Sequence, residues 1–556
     1  MSPREVLLAR LRAQRFNLLI IGGGIVGAGI ARDAAMRGLS VALIEQGDFG
    51  SGTSSKTSKL IHGGLRYLEH GHLRLVFESL RERRTLRGIA PNFIHPLSLL
   101  LPVYDRDLRP AWKINVGLWL YDLLAMGRNL GMHQMLSARR ALALEPSLRV
   151  DGLRAAGLYA DCQMDDARIC LANILQAASL GAVCGNYVRL RDVLKANHRV
   201  CGAAAEDALT GRTFEIQAQA VVNATGPWSD AVRRLSDAKS STRLAPTKGI
   251  HIVLPRAARE ALFVQTRADR RMLFVLPWGD YSLIGTTESP VGGPLEELAA
   301  EADEVGYLLE EAKRVLPGGR FDEHDVIATF AGARPLLAFS GSSTTATREH
   351  LIEVDRHGLV SILGGKFTTY RHMAEQTVDV LAERMRWRAD RCVTAQVGLT
   401  ETVFPASLDL WHELARKVEP NVLARLLARY GAGTLPILRL IGLDPALAHP
   451  VCQHHDTIEA EVVHAITREL ACTLTDVLAR RTRIAWSSCQ GLDALSTIAG
   501  LFQRYAEVSL ERLARQVDEY HRFLLRGLAF RRTPPTFREV SSPDVASLQA
   551  SGTPPV

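Results

Sequence analysis

The sequence has few cysteines, and their arrangement does not indicate a metal or redox site. Eight cysteines are scattered over 556 residues, with no Cys-x-x-Cys pair and no histidine interleaved at the spacing of a zinc site. We therefore expect reduced thiols in a cytosolic compartment and no bound metal.

Long apolar segments are also lacking. No run of about 18 uncharged apolar residues occurs, so no membrane-spanning helix is predicted. Glu5 and Arg10 interrupt the N-terminal segment, which argues against a secretory signal. Residues 1–15 are instead a candidate for a short basic helix, which either packs on the protein or lies on an anionic membrane surface. Packing is the simpler interpretation.

Acidic residues are outnumbered by basic ones. The chain has 67 Lys and Arg against 59 Asp and Glu, a formal net charge of +8. Such an excess favours phosphorylated metabolites, acidic lipids or nucleic acid as partners, although an arginine-rich composition without a specific partner explains it equally well. The basic residues are dispersed and no RNP or helix-turn-helix pattern appears, which weakens the nucleic-acid interpretation.

The feature around which the chain is organised is a βαβ unit near its N-terminus. A short apolar run leads into Gly22-x-Gly24-x-x-Gly27 and a helix of small residues, and a second apolar run ends at Glu45. Glycines in this spacing allow a pyrophosphate to approach the helix N-terminus, and the acid can accept from a ribose hydroxyl. Because a carboxylate here would repel the 2′-phosphate of NADP, the unit predicts FAD or NAD.

A second glycine-bearing turn favours FAD over NAD. Gly364 and Gly365 stand immediately before a predicted helix, whose N-terminus would stabilise negative charge on a reduced flavin. An NAD domain has no need of such a junction more than 300 residues downstream of the first. The buried strand that ends at Thr225 and Gly226 is expected to run beneath the same ring.

The segment Gly50–Leu68 carries a family resemblance. It begins like a Ser/Gly linker but passes into an apolar segment with two glycines, which would allow close approach to a flat ring. Here the chain resembles the FAD-dependent glycerol-3-phosphate dehydrogenases, within the D-amino-acid-oxidase-like flavoproteins. The matching stretches are Gly22–Gly27, Ala31–Ala35, Thr53–Lys56 and Ser58–Glu69.

The resemblance implies an α/β fold with a Rossmann-like FAD-binding domain, an antiparallel β-rich substrate domain and an all-α C-terminal cap. The expected FAD-binding ranges are 1–95, 151–240 and 325–390, with residues 327–335 returning to that domain. The substrate domain is expected at 96–150 and 241–324, the helical domain at 400–530, and a disordered tail at 531–556. Residues 459–483 are predicted to form the longest cap helix, with Arg480, Arg481 and Arg483 in its last turn.

Together, the motifs and the resemblance predict which residues form the site. The FAD-binding residues are Gly22, Gly24, Gly27, Glu45, Thr53, Ser54, Ser55, His62, Gly63, Gly64, Ala224, Thr225, Gly226, Gly364, Gly365 and Thr368. The substrate-binding residues are Tyr67, Thr287 and Arg348, and the catalytic ones are His251, Arg334 and Lys366.

The chemistry explains the choice of these catalytic residues. Oxidising a secondary alcohol sends a hydride to flavin N5 while a base takes the hydroxyl proton, and His251 is expected to titrate in the right range. Arg334 and Arg348 can together hold a phosphate dianion through forked donors. Either Arg334 or Lys366 would stabilise the developing alkoxide, and the sequence does not rank them.

The resemblance implies oxidation of sn-glycerol 3-phosphate to dihydroxyacetone phosphate. In dehydrogenase members the electrons pass to a membrane quinone, and in oxidase members to oxygen. The length and the lack of an Asp-x-Asp-x-Asp-Gly calcium loop favour a dehydrogenase bound peripherally to the cytoplasmic face of the membrane. The apolar, aromatic segment Trp112–Met126 is then either a core helix or one that rests among lipid headgroups.

Other interpretations stay open. They are a glycerol-3-phosphate oxidase, a flavin enzyme acting on an amino acid or 2-hydroxy acid, a nucleic-acid-acting flavoprotein and a non-catalytic flavin-binding scaffold. The sequence is also compatible with a homodimer.

Overall fold

The computed structural model describes residues 3–338, 349–399 and 413–531. Two β-sheets with their helices precede a C-terminal helical domain. Arg348, residues 400–412 and the predicted tail beyond residue 531 lie outside the described residues.

The first sheet contains the predicted βαβ unit. Its central strand, Arg15–Ile21, pairs in parallel with Val41–Ile44 on one side and Thr213–Asn223 on the other. Six strands follow one another across the sheet in the order His350–Val354, Val360–Gly364, Thr213–Asn223, Arg15–Ile21, Val41–Ile44 and Val183–Gly185. Two further strands extend it: Arg199–Asp207 pairs with Thr213–Asn223, and Val188–Ala196 pairs with Arg199–Asp207. The carboxyl ends of its five mutually parallel strands meet at one edge, which is where ligands bind in such sheets.

Alternate residues of the central strand pack on opposite faces of this sheet. Leu18 and Ile20 belong to the core formed with helices Ile25–Met36, Asp166–Ser179 and Tyr370–Met385. Leu19 and Ile21 belong to the opposite core, together with Leu8 and Leu11 of helix Pro3–Ala13. The N-terminal helix therefore packs on the protein, as the simpler interpretation held.

The second sheet has ten strands and is largely antiparallel. Its order is Ser289–Pro290, Thr247–Pro255, Tyr281–Gly285, Met272–Trp278, Ala261–Gln265, Ile94–Tyr104, Leu153–Met164 and Leu60–Ile61, with Ala328–Arg334 beside Thr247–Pro255 and Gln134–Ser137 beside Leu153–Met164. The remaining helices of this part are Leu73–Ile89, Ala111–Leu124, Ala138–Leu144, Ser229–Ser236 and Ala302–Val315. The α/β fold with a β-rich second layer and a helical C-terminal domain is confirmed.

Three strands lie in a different sheet from the one that the predicted ranges implied, and the shortest of them is Leu60–Ile61. The expectation that residues 327–335 return to the first domain is wrong, because Ala328–Arg334 pairs along its whole length with Thr247–Pro255. Leu153–Met164 likewise pairs with Ile94–Tyr104 in the second sheet. Both pairings join segments distant in sequence, which a local apolar pattern does not specify.

The C-terminal domain is helical, with one small hairpin. Its helices are Pro420–Tyr430, Thr434–Leu443, Glu459–Arg468, Leu495–Ala506 and Leu510–Gly527, and the hairpin is Pro450–Cys452 with His455–Ile458. The single helix predicted over 459–483 is wrong. The α-helix ends at Arg468, Leu470 has a left-handed backbone with φ 58°, and Asp476–Arg481 forms a separate π-helical turn.

Within the described part of the chain, one helical stretch, Pro420–Leu443, has the length and composition that a membrane-spanning helix needs. Leu426, Tyr430, Ile437 and Leu438 on this stretch are buried in the core of the C-terminal domain. In all, 39% of its most apolar 18-residue window is buried within the protein.

Candidate active site

A cavity of about 1340 Å³ lies where the two sheets and the C-terminal domain meet. Most pockets for small molecules measure roughly 300–1,000 Å³. The cavity therefore has room for a dinucleotide together with a small substrate. We call the part formed by the carboxyl edge of the first sheet the cofactor end, and the part formed by the second sheet the substrate end.

Most of the predicted site residues line this cavity. Those at the wall are Gly22, Gly24, Glu45, Thr53, Ser54, Ser55, His62, Gly64, Ala224, Thr225, Gly226, Gly364, Gly365 and Thr368, together with Tyr67, His251, Arg334 and Lys366. Gly27, Gly63 and Thr287 do not line it, and Arg348 lies outside the described residues.

The cofactor end has no space for side chains at its first turn. Gly22 has φ +106°, and a Cβ there would lie 2.6 Å from the carbonyl oxygen of Ala224. A Cβ on Gly27 would lie 1.9 Å from the carbonyl oxygen of Gly22. Gly27 therefore acts by letting the helix begin tightly against the turn, so that the helix N-terminus at Gly24 faces the cavity.

Glu45 fixes the shape of the same turn. Its carboxylate accepts the backbone N–H of Gly23 at 2.7 Å and that of Gly47 at 2.9 Å. Burial raises the pKa of this carboxyl group, while the two N–H donors oppose that effect. A carboxylate has further lone pairs, so the predicted bond from a ribose hydroxyl remains compatible with these contacts.

Two other parts of the cofactor end are held by hydroxyls. Ser54 accepts the N–H of Ile25 at 2.9 Å, which satisfies one of the free donors at the helix N-terminus. The hydroxyl of Thr53 donates to the carbonyl of Ala333 at 2.7 Å, and Thr225 donates to Asn223 at 2.7 Å. Thr53 thereby ties the loop that lines the cavity to the second sheet.

His251 occupies the substrate end in a buried, fixed orientation. Its Nε2 lies 2.8 Å from the hydroxyl of Ser58, and its ring is stacked on Phe330 with centroids 5.0 Å apart. A Cβ on Gly285 would come within 2.2 Å of the imidazole, so only glycine lets the ring lie in this position.

The expectation that His251 titrates near neutral pH is wrong. Burial lowers the pKa of His251 well below its ordinary value, and the positive charges of Arg334 and Lys59 lower it further. The imidazole is therefore neutral at physiological pH and able to accept a proton.

Arg334 presents a fixed cation beside His251. Its guanidinium lies across Gly249, where a Cβ would be only 2.2 Å away, and donates to the hydroxyl of Thr286 at 2.7 Å. It also donates to the carbonyl of Thr287 at 3.1 Å. Lys366 adds a second cation, with Nζ 4.6 Å from the ring centre of Tyr67. The substrate end is therefore electropositive around a neutral imidazole.

Thr287 faces away from the cavity. Its hydroxyl accepts the N–H of Ile250 at 3.1 Å and contacts Glu304 at 3.5 Å, whereas the neighbouring Thr286 lines the cavity. The predicted Thr287 therefore does not line the cavity, because adjacent side chains here point in opposite directions. Gly63 supports the wall from behind, since its N–H donates to the hydroxyl of Tyr121 at 2.9 Å.

The comparisons with known proteins decide the family. A family model described as FAD dependent oxidoreductase matches residues 17–371, and another, described as C-terminal domain of alpha-glycerophosphate oxidase, matches residues 392–513. The glycerol-3-phosphate dehydrogenase of Synechocystis sp. (strain ATCC 27184 / PCC 6803 / Kazusa) is 37% identical over 531 residues, covering 92% of this chain and 96% of that protein. The chain belongs to the FAD-dependent glycerol-3-phosphate dehydrogenase family.

Further relatives of this family agree in fold and extent. The mitochondrial glycerol-3-phosphate dehydrogenase of Homo sapiens is 35% identical, covering 95% of this chain and 76% of that protein. The crystal structure of the glycerol-3-phosphate dehydrogenase from Bacillus halodurans, complexed with FAD, has a TM-score of 0.79 and 28% identity, covering 96% of this chain and 99% of that one.

FAD is the cofactor, as predicted, and the residues present fit it. The second glycine turn, like the first, has no space for side chains. Gly364 and Gly365 have φ of +74° and +87°, and Cβ atoms there would lie 2.5 Å from the carbonyl of Glu349 and 2.4 Å from Met373. Both turns line one cavity, so the two glycine segments that are far apart in sequence do meet at one site.

The sequence interpretation missed the cations that surround the cavity from other directions. These are Lys56, Arg480, Arg483 and Arg526, all of which line it. Burial lowers the pKa of Lys56 to about 8, helped by the charges of Arg480 and Arg526. Lys56 lies in one of the stretches that carry the resemblance, and Arg480 and Arg483 stood out as basic residues. Their contacts with other domains were not visible in the sequence.

Asp48 joins the C-terminal domain to the cofactor end. Its carboxylate accepts from Arg480 Nε at 2.5 Å and from Arg481 Nη1 at 2.7 Å, and Arg480 also donates to Asp476 at 2.6 Å. Although burial raises the pKa of Asp48, the two arginines outweigh it and hold the pKa well below its usual range. We call Asp48, Arg480, Arg481 and Asp476 the interdomain ion-pair network.

Beside the cavity, the same domain contacts the second sheet and the start of helix Asp166–Ser179. Arg483 pairs with Asp165 at 2.5 Å, and the ring of Trp486 meets the edge of Phe330 with centroids 5.5 Å apart. The residues predicted as a cap with no readable role therefore form part of the wall of the active site.

Proposed function

We propose that the protein oxidises sn-glycerol 3-phosphate to dihydroxyacetone phosphate. The observation that carries this proposal is the neutral, buried imidazole of His251 beside the guanidinium of Arg334, in the same cavity as the two glycine turns. The relatives named glycerol-3-phosphate dehydrogenase support the choice of substrate.

The side chains at the substrate end divide the work of this reaction. The neutral imidazole of His251 takes the proton of the C2 hydroxyl, and the hydroxyl of Ser58 keeps the ring oriented. Arg334 is held in place by its hydrogen bonds to the hydroxyl of Thr286 and the carbonyl of Thr287. Its positive charge stabilises the negative charge that develops on the substrate oxygen or that the phosphate carries. FAD, when bound, supplies the acceptor for the hydride. Phe330 and Trp278 add apolar surface to the wall of the same cavity.

An anaerobic titration of the FAD-loaded protein tests the substrate. Glycerol 3-phosphate is expected to bleach the flavin absorption, while glycerol and a 2-hydroxy acid such as lactate leave it unchanged at the same concentration. Equal bleaching by glycerol would contradict recognition of phosphate. Bleaching by lactate alone would assign the protein to 2-hydroxy acids, and no bleaching by any of the three would indicate a non-catalytic scaffold.

We further propose that the electrons pass to a quinone at a membrane surface on the cytoplasmic side. Helix Ala111–Leu124 supports this proposal, since it exposes an apolar stripe at helical spacing that continues just past its end. The exposed fractions are 69% for Trp112, 59% for Val116, 56% for Trp119, 72% for Leu123 and 66% for Met126. A contiguous apolar surface of this kind is rare on a soluble monomer unless it binds something.

Charge around the stripe fits an anionic bilayer. Arg106, Lys113 and Arg128 are exposed at or near the same helix. Cations beside exposed tryptophans are typical of helices that lie in the headgroup layer. The N-terminal helix is less suited to this role, because Leu8 and Leu11 are buried beneath it.

Flotation with liposomes tests the membrane proposal. Wild type is expected to float with vesicles containing phosphatidylglycerol, and Trp112→Ser/Trp119→Ser to stay in the soluble fraction. Leu443→Ser is the matched control, because Leu443 is an 86% exposed leucine on the C-terminal domain. Equal flotation of both variants would contradict the assignment of this helix.

Reoxidation of the substrate-reduced protein then separates the two acceptors. A short-chain ubiquinone under nitrogen is expected to restore the flavin colour faster than air-saturated buffer does. Faster reoxidation by oxygen, with formation of peroxide, would favour the oxidase alternative.

A further inference from the structure

The C-terminal domain brings together two cysteines and a carboxylate that the sequence keeps apart. Cys452 ends the first strand of the hairpin, and Cys489 and Asp493 lie in the loop before helix Leu495–Ala506. The ligand atoms of all three residues lie within 4.8 Å of one another. The spacing of the cysteines gave no sign of this, because the hairpin and the loop meet only in the fold.

Each sulfur is held by polar groups of its own loop. The Sγ of Cys489 accepts the N–H of Gly491 at 3.4 Å and contacts the hydroxyl of Ser487 at 3.2 Å. The Sγ of Cys452 donates to the carbonyl of His455 at 3.9 Å. Both cysteines are thus positioned by nearby groups of the hairpin and the loop, and each would bind a metal ion as its thiolate.

The three ligand atoms are close enough to share one ion. A divalent cation between them would displace both thiol protons. His454, at the tip of the hairpin, lies with Nδ1 3.1 Å from the Oδ2 of Asp493, so an imidazole nitrogen is also at hand.

We propose that Cys452, Cys489 and Asp493 bind one Zn²⁺ ion, with His454 or a water molecule as the fourth ligand. Two sulfurs with an oxygen and a nitrogen or water form the mixed tetrahedral set that zinc accepts and that hard cations such as Mg²⁺ and Ca²⁺ disfavour. The two cysteine thiols lose their protons on binding, and no electron transfer is involved.

A zinc ion here would act on the structure of the cavity wall. The loop that carries Cys489 also carries Gln490, whose side chain donates to the carbonyl of Ile327 at 2.7 Å. The N–H of Ser488 donates to the hydroxyl of Tyr281 at 2.9 Å. The ion would therefore join the hairpin to the loop that contacts the second sheet.

A second group of this kind within the described residues does not support the same inference. Asp322, His324 and Asp325 also lie close together, but they offer no sulfur. Asp322 and Asp325 cap a short helical turn, and Asp325 pairs with Arg320 at 2.7 Å. Their arrangement is explained without a metal.

Metal analysis of the full-length, FAD-loaded protein tests the proposal. The reduced protein is incubated with Zn²⁺, desalted and assayed by mass spectrometry of the elements. Wild type and Cys201→Ser are expected to retain one equivalent, and Cys452→Ser and Cys489→Ser none. Cys201 is the matched control, as a free, partly exposed cysteine in strand Arg199–Asp207 of the first sheet. X-ray absorption at the zinc edge should show sulfur at about 2.3 Å.

A variant that leaves both sulfurs in place guards against misfolding of the cysteine variants. Asp493→Asn, on a partly exposed side chain, is expected to lower the affinity for Zn²⁺ about tenfold or more in competition with a chromogenic chelator. The proposal is overturned if wild type retains no more zinc than Cys452→Ser, or if Asp493→Asn binds as tightly as wild type. A Cys452–Cys489 disulfide in protein that takes up no zinc after reduction would assign the pair to redox chemistry instead.

Discussion

The cofactor end of the cavity is shaped mainly by backbone, whereas the side closed by the C-terminal domain is held by buried charge. At Gly22, any side chain would meet the carbonyl of Ala224. At the other side, Asp48 binds Arg480 and Arg481, which lie 432 and 433 positions further along the chain. The first arrangement depends on the space that one turn leaves. The second depends on matching charges between two domains, so the two should respond differently to mutation.

Removing the charge of Asp48 should have the largest effect on stability. Asp48→Asn leaves Arg480 and Arg481 buried with less negative charge beside them, and breaking a buried ion pair costs roughly 3–5 kcal/mol. We expect the free energy of unfolding, measured by urea titration, to decrease by this amount. We also expect FAD to be released at a lower temperature on heating.

Asp379→Asn is the control for this change. Asp379 also accepts from a buried arginine, Arg37, but its side chain is 60% exposed and Arg37 keeps Asp33 as a second partner. A loss of under about 1 kcal/mol is expected, as for other exposed pairs. If both variants lose the same stability, the interdomain ion-pair network has no special role.

His251→Asn should have the largest effect on catalysis while leaving both ends of the cavity intact. Loss of a general base costs about 10²–10⁴-fold in rate. We expect kcat for glycerol 3-phosphate to fall by that factor, with KM and the content of FAD nearly unchanged. A variant that loses FAD instead would show that His251 supports the cavity rather than the chemistry. Ser58→Ala, which removes the hydroxyl at Nε2, should give a smaller fall in the same parameter.

The contrast also explains which features the sequence could predict. Gly22–Gly27, Glu45 and the later pair Gly364–Gly365 lie in short segments whose spacing reflects backbone geometry, and the structure brings them to one cavity. Thr287 faces away from the cavity, and a motif does not show which of two neighbouring side chains faces inward. The roles of Arg480 and Arg481 were unreadable, since their partner Asp48 lies in another domain. Cys452 and Cys489 met only through the packing of the C-terminal domain.

Two neighbouring glycines should differ in their effect on FAD binding. Gly22→Ala forces a side chain into a left-handed backbone against the carbonyl of Ala224, and strain of this kind costs roughly 1–3 kcal/mol. We expect the affinity for FAD to fall about tenfold or more. At Gly24 the backbone is unstrained and a Cβ would meet only the hydroxyl of Ser54, at 3.1 Å, so Gly24→Ala acts only by crowding the pyrophosphate and should lower the affinity for FAD less than Gly22→Ala does. Equal losses, measured by flavin fluorescence on reconstitution, would mean that the turn tolerates no methyl group at all.

The pH dependence should show the smallest change and bears directly on the charge at the substrate end. The base must be neutral, and burial, aided by Arg334 and Lys59, places the pKa of His251 below its ordinary value of about 6.5. Activity should therefore persist as the pH falls through 6.5, with its acidic limit lying lower. Between the lowered pKa of His251 in the folded protein and about 6.5, the unfolded chain binds a proton on this residue and the folded protein does not. The free energy of unfolding should therefore decrease as the pH falls below about 6.5. The second ionisation of a phosphate monoester lies near 6, so kcat at saturating substrate must be compared with kcat/KM to separate the substrate from the enzyme. If kcat declines with an apparent pKa at or above 6.5, and His251→Asn abolishes that decline, the imidazole is more exposed to water than its contacts with Phe330 and Gly285 imply.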